Sequence, residues 1–122
     1  MKRTQARELA FKTIYSKFFN ADIDEENVPS KDLEFTNLIV ENYIAHKEEI
    51  NNLISAHLKG YTINRVYKVD LAILIVAVIE LNYIKENPKE VVINEAVELA
   101  KKYSTEKSPR FINGVLADIF NK

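Results

Sequence analysis

An all-α fold is what this sequence predicts, and three observations carry the prediction. Residues 69–84, VDLAILIVAVIELNYI, contain an apolar run from Leu71 to Ile79 with no polar residue and no turn-maker. On either side of it, apolar residues recur at spacings of three and four, the period of a helix face. The whole chain has two Gly and three Pro, fewer turn-makers than a β-rich domain requires. The central run is too long for an ordinary strand, since strands rarely exceed about ten residues. It is also too short to span a membrane, which takes roughly 20 apolar residues, because Asp70, Glu80 and Asn82 interrupt it. A helix that is apolar all round must be enclosed by other helices, with Leu74, Val78 and Leu81 expected to be fully buried. The expectation is a single compact domain, residues 1–122, of about six to seven helices around a buried central helix.

The flanking elements follow in order. The first helix is expected from about Lys2 to Phe19, with Ala6, Ala10, Phe11, Ile14 and Phe18 on its inner stripe. Arg3 and Arg7 lie four apart on the same side, so the stripe runs at its start into two guanidinium groups. Burying them unpaired is costly. Either the first turns project beyond the body, or the arginines meet acids at a rim. Residues 21–30, ADIDEENVPS, read as an acidic loop ending at Ser30, a helix N-cap.

The second helix carries Phe35, Leu38, Ile39 and Tyr43 in phase. The charged gap at 45–49 predicts a break or kink near His46 before Ile50, Leu53, Ile54 and Leu58 resume the stripe. Gly60 suits a left-handed C′ position, and YTINRVYKV reads as a connector with at most one short helical turn. Asn87-Pro88-Lys89-Glu90 has the form of a capping box. The helix after it should bury Val92, Ala96, Leu99, Ala100 and Tyr103 and pair Glu98 with Lys102 outside. Ser108-Pro109 marks a last start, followed by the ladder Phe111, Ile112, Val115, Leu116, Ile119 and Phe120. Gly114 inside that ladder costs about 1 kcal/mol against Ala, which a close approach by a neighbouring helix would explain.

The net charge is −1, but it is unevenly spread. Residues 1–20 come to +4, 21–50 to −7, 51–100 to −1 and 101–122 to +3. If the two basic ends meet, they form a surface attractive to a polyanion. Solvated helix ends are the plainer alternative. At 47% hydrophobic and 29% charged residues, the chain has the balance of an ordinary soluble domain. It has no Cys, hence no disulfide framework or thiolate metal site, and the N-terminus lacks the apolar core of a secretory signal. His46 and His57 have no third ligand at suitable spacing. Glu25-Glu26 and Glu48-Glu49 are adjacent pairs that cannot face one another on a helix. Without a phosphate loop or nucleophile motif, no metal, no cofactor and no enzymatic activity are expected.

The stretch VVINEAVELAKKYSTEKSPRFINGVLADI closely resembles the NusB family of bacterial transcription antitermination factors. The likeness includes the I-N-E-A-V-E-L-A-K helix, the F-I-N-G-V-L that follows, VDLAILIVAVIEL with Arg65 upstream, and an N-terminal R-x-x-x-R-E-L-A-x-K-x-x-Y from Arg3 to Tyr15. It implies two antiparallel helical halves and a cytoplasmic protein, monomer or homodimer, with no membrane attachment. It also implies binding of boxA-like single-stranded RNA with a ribosomal protein partner of the NusE type, within an RNA polymerase antitermination complex. By position, the implied RNA-binding residues are Lys2, Arg3, Arg7, Lys107, Arg110 and Phe111, with Arg3 and Arg7 expected beside Arg110 and Phe111; the partner-binding residues are Tyr15 and Asp70, expected close together. The chain departs from the family pattern at Thr4, Gln5, Asn42-Tyr43, Leu71, Ile75 and Ala117. Two other functions remain open: a helical protein–protein adaptor without intrinsic RNA binding, and a helical domain of the kind attached to RNA cytosine methyltransferases. The second would need a longer chain.

Overall fold

A computed structural model describes residues 3–19, 30–60 and 62–121. Five α-helices are present among them: α1 Arg3–Lys17, α2 Ser30–Ala56, α3 Lys68–Ile79, α4 Lys89–Tyr103 and α5 Ser108–Phe120. A 3₁₀ turn, Ile63–Arg65, precedes α3, and a π turn, Glu80–Ile84, continues from it. The all-helical class matches expectation. The number of α-helices is lower, and reaches six only if α2 is divided at its kink. The acidic loop and Lys2 lie outside the described residues, as does the side chain of Ser30.

α3 is the axis of the fold because its sequence leaves it no solvent face. From Val69 to Ile79 every residue but Leu71 is buried, and α3 packs against each of α1, α2, α4 and α5. The stripes of the outer helices close on it: Ala6, Ala10, Phe11 and Ile14 from α1; Phe35, Ile39, Tyr43, Ile50 and Ile54 from α2; Val92, Ala96, Leu99 and Ala100 from α4; Ile112, Val115, Leu116 and Ile119 from α5. α4 and α5 form an antiparallel hairpin, whose open end is tied by Lys89 Nζ donating to the Phe120 carbonyl at 3.3 Å. α1 and α2 are joined where Thr36 Oγ1 donates to the Ala6 carbonyl at 3.0 Å, in a buried position. α2 does bend at His46 (φ −124°, ψ 22°). The His46 ring stacks on Tyr83, 4.3 Å between centroids, and the Tyr83 hydroxyl donates to Glu49 at 2.9 Å. Aromatic packing holds the bend where the apolar stripe lapses.

Several local expectations are corrected. Leu81 is only partly buried, because the wider π turn shifts the phase of residues beyond Ile79. Leu38 is exposed, one position off the α2 stripe. Gly114 is exposed, and a Cβ there would meet nothing within 4 Å, so no close approach explains it. Gly60 has the left-handed conformation (φ +85°), but it lies four residues past the end of α2 rather than at its C′. Neither capping motif caps. α4 is preceded by Pro88 and α5 by Lys107, without side-chain cap bonds. Asn87 and Ser108 spend their side chains on tertiary partners described below. Glu98 pairs with Lys101 at 3.1 Å, leaving Lys102 to another acid.

Leu74 is fully buried at the centre of α3. Leu74→Ala is expected to lower stability by about 2–5 kcal/mol, the range for a core cavity, measured by denaturant unfolding. A loss below about 1 kcal/mol would mean that the site collapses onto the smaller side chain.

Candidate nucleic-acid and partner surfaces

The two arginines of α1 have different fates. Arg7 is 5% exposed and forms a two-point pair with Glu80: Nε to Oε2 at 2.5 Å and Nη2 to Oε1 at 3.0 Å. Its Nη1 donates to Glu95 Oε1 at 3.0 Å. Burial opposes the charge of Arg7, but Glu80 and then Glu95 outweigh it and raise the guanidinium pKa above its ordinary value. Arg3, one turn earlier, is exposed. It pairs with Glu86 at 2.7 Å, and its guanidinium lies 4.4 Å from the centre of the Phe35 ring. Asn87 joins the two: with its oxygen toward them, it accepts from Arg3 Nη1 at 3.0 Å and Arg7 Nη2 at 3.2 Å. Of the two open possibilities for the α1 stripe, the arginines meet acids. Arg7 is thus a buried clamp with its donors turned inward, and Arg3 is the one of the pair that reaches solvent.

At the other end of α3, Asp70 is also 5% exposed. It accepts from Ser104 Oγ at 2.6 Å and from Ser108 Oγ at 3.0 Å, which moors the α4–α5 turn to the start of α3. Lys107 and Arg110 are exposed on either side of that mooring, and Phe111 is half-buried. Phe111 lines a groove of about 280 Å³ that also includes Asp70, Lys107 and Ser108. Ten residues of helix separate Asp70 from Glu80, about 15 Å of rise. Arg3 and Arg7 belong to the Glu80 end, while Arg110 and Phe111 belong to the Asp70 end. The expected meeting of the two basic segments beside one another does not occur.

Tyr15 belongs to a cluster of rings, with centroids 5.2 Å from Phe19, 6.3 Å from Phe11 and 6.4 Å from Phe18. Phe11 in turn packs on Tyr103 at 5.3 Å, next in sequence to the Ser104 that holds Asp70. Tyr15 and Asp70 therefore share one end of the molecule. Tyr15 is part-exposed, whereas the Asp70 carboxylate is already engaged.

Sequence reasoning missed a second α1–α4 contact. Glu8 accepts from Tyr103 Oη and from Lys102 Nζ, the latter at 2.9 Å, and Thr4 Oγ1 donates to Glu95 at 2.7 Å. Burial pushes the Glu8 carboxyl up, but the bonds from Tyr103 and Lys102 prevail and hold it below its ordinary value of 4.5. Among the described residues, no group of three or more His, Asp or Glu side chains could hold a metal, and no helix is long and apolar enough to cross a membrane.

Two outcomes are expected. Arg7→Ala should cost about 3–5 kcal/mol, since it leaves a buried carboxylate unpaired, while Arg3→Ala should cost under about 1 kcal/mol. Equal losses in thermal or denaturant melts would show that burial does not distinguish them. For Glu8 the folded pKa is depressed, so its stabilisation is present above the unfolded value near 4.5 and disappears as pH falls through the folded value. The melting temperature of the wild type should exceed that of Glu8→Gln at neutral pH, with the gap closing as the solution is acidified. A gap independent of pH would rule out the carboxylate as its source.

The geometry can be set beside known proteins. The NusB family model matches residues 4–121. A transcription antitermination protein NusB of Finegoldia magna is 42% identical, over 100% of this chain and 96% of its own length. One of Listeria welshimeri is 39% identical, over 98% of this chain and 96% of its own. Among solved structures, T. maritima NusB superposes with a TM-score of 0.91 at 32% identity, covering 100% of this chain and 92% of that one. A structure described as antitermination factors NusB and NusE in complex with dsRNA gives 0.86 at 30% identity, covering 99% and 98%. The model match and the near-complete coverage at these identities show that the chain belongs to the NusB family.

Proposed function

We propose that this chain is a transcription antitermination factor. In this reading it binds boxA-like single-stranded RNA together with a ribosomal protein of the NusE type, within an RNA polymerase antitermination complex that sustains ribosomal RNA transcription. It acts in the cytoplasm as a non-enzymatic, cofactor-free binding domain. The observation that carries the reading is the surface at the start of α5, where the exposed Lys107 and Arg110 each share a groove with the half-buried Phe111. Two cations beside an aromatic ring suit a phosphate backbone with a base stacked against it. Support also comes from the near-complete match to a NusB seen with NusE and RNA. The ring cluster around Tyr15, at the same end of the molecule, is the proposed partner surface.

One observation favours the adaptor reading, in which RNA binding is not intrinsic. Arg7 is consumed by Glu80 and Glu95, and Arg3 is paired with Glu86, so α1 offers a polyanion less than its sequence suggests. Binding of a boxA-like single strand, measured at several salt concentrations with and without the partner, separates the two. Each phosphate neutralised on a single strand contributes about −0.7 to the salt slope. Lys107→Glu with Arg110→Glu should therefore weaken binding and flatten the slope by roughly 1.4, with no fall in melting temperature. Unchanged affinity and slope would favour the adaptor.

A further inference from the structure

We propose that the RNA path continues past Phe111 onto the connector between α2 and α3, where Arg65, Tyr67 and Lys59 seat nucleotides flanking the core site. This rests on the RNA-binding reading above and extends it to residues that the family likeness does not assign.

Phe111 is shared by two grooves. One, of about 280 Å³, is lined by Arg65, Tyr67 and Lys107 as well as Asp70. The other, of about 510 Å³ between the end of α2 and α5, is lined by His57, Lys59, Arg110 and Asp118. A strand passing over Phe111 would thus have a cationic groove on each side. The acids in both are occupied. Asp70 is bonded to Ser104 and Ser108, and Asp118 Oδ2 lies 2.6 Å from His57 Nδ1. Lys59, Arg65, Lys107 and Arg110 are all exposed. The charge balance around the two grooves is therefore positive on a chain whose net charge is −1, which suits a polyanion and not an acidic-residue-seeking partner.

The connector is built to display Arg65 and Tyr67. The 3₁₀ turn is closed by Arg65 N–H to the Thr62 carbonyl at 3.0 Å and Val66 N–H to the Ile63 carbonyl at 3.1 Å. Val66 and Tyr67 then run extended (φ −70°, ψ 133°; φ −56°, ψ 131°). In extended backbone alternate residues point to opposite sides. Val66 is buried, while Arg65 and Tyr67 are exposed and line the same groove. Tyr67 is 55% exposed, a large ring displayed beside a guanidinium. A cation next to an exposed ring is the arrangement by which proteins hold single strands without reading sequence. Lys68 follows with its Nζ 5.8 Å from the Phe18 ring centre, so the path ends against the ring cluster proposed for the protein partner.

The test uses the full chain and two RNAs: a boxA-like core, and the same core extended by several nucleotides at either end. Binding is measured by anisotropy over a salt series. The wild type should bind the RNA extended at both ends more tightly than the core. Lys59→Glu with Arg65→Glu should remove that gain and flatten the slope by roughly 1.4 on the extended RNA, leaving core binding unchanged. Tyr67→Ala should reduce the gain by about fivefold or more, the loss of one stacked base. Lys85→Glu, an exposed charge reversal at the opposite end of α3, should retain the gain.

The proposal is overturned if the extension adds nothing for the wild type, if the connector variants keep the gain, or if Lys85→Glu loses it equally. It is also overturned if the connector variants lose the NusE-type partner while keeping the RNA gain, because the face would then be a protein surface. Failure of the wild type to bind even the core, with or without partner, would sink the functional reading itself and is distinguishable from all of these.

Discussion

The buried pair between Arg7 and Glu80 is the constraint on which the arrangement of the helices depends. Taking a guanidinium and a carboxylate out of water costs several kcal/mol per ion, and only good geometry with further hydrogen bonds recovers it. The chain bends its backbone to supply that geometry. At Glu80 the α3 helix widens into a π turn closed by Lys85 N–H to the Glu80 carbonyl at 2.8 Å, and Lys85 adopts a left-handed conformation (φ 59°). This reversal brings Glu86 and Asn87 back toward Arg3 and Arg7. α4 can then begin at Lys89 and deliver Glu95 about one and two-thirds turns later. A π turn is an uncommon element that tends to mark function. Here it carries the acid that anchors the first helix.

A helix as apolar as α3 needs a defined polar stop at each end, or its register against its neighbours would slide. The stops are Asp70 and Glu80, both buried and both fully engaged. Asp70 holds the α4–α5 turn through two serine hydroxyls, and Glu80 holds α1 through Arg7. The basic excess at the two ends of the sequence is divided accordingly. At the N-terminus, Arg3 and Arg7 are engaged by acids within the fold. At the start of α5 the cations remain on the surface, beside Phe111 and the connector. The basic excess is therefore partly structural at one end and stays exposed at the other, where Lys107 and Arg110 lie.

What was legible in the sequence was whatever periodicity controls. The stripes on α1, α2, α4 and α5, the enclosure of α3 and the bend at His46 all follow from which positions are apolar. What was not legible depends on partners distant in sequence. Asn87 and Ser108 have the residue type and position of N-caps, yet their side chains turn to Arg7 and Asp70, because a buried charge is a stronger demand than a helix-end N–H. Arg3 and Arg7 share a face and a residue type, and only the depth of one helical turn separates a solvated side chain from a buried one. The pairing of Glu8 with Tyr103 spans 95 positions and leaves no local trace. Two signals did point the right way: an acid at Glu80 directly after an apolar run, and arginines continuing an apolar stripe. Each announces an unmet charge, but neither says that the two belong together.

The position of Asp70 also bears on how a residue can matter to binding without being touched. Its carboxylate is nearly inaccessible, and a partner could reach it only by displacing Ser104 and Ser108. Those serines set where α5 begins, and Lys107, Arg110 and Phe111 fall within three residues of Ser108. A fixed start for α5 therefore fixes the spacing of two cations and a ring relative to Arg65 and Tyr67 on the connector, which is itself moored through Val69 and Asp70 at the head of α3. Single-strand binding by stacking and phosphate contact tolerates sequence but not loose geometry, since each side chain that must be ordered on binding adds to its entropic cost. The buried carboxylate thus preorganises the face above it. In this chain the polar stop of the core and the spacing of the proposed RNA surface are one structural feature.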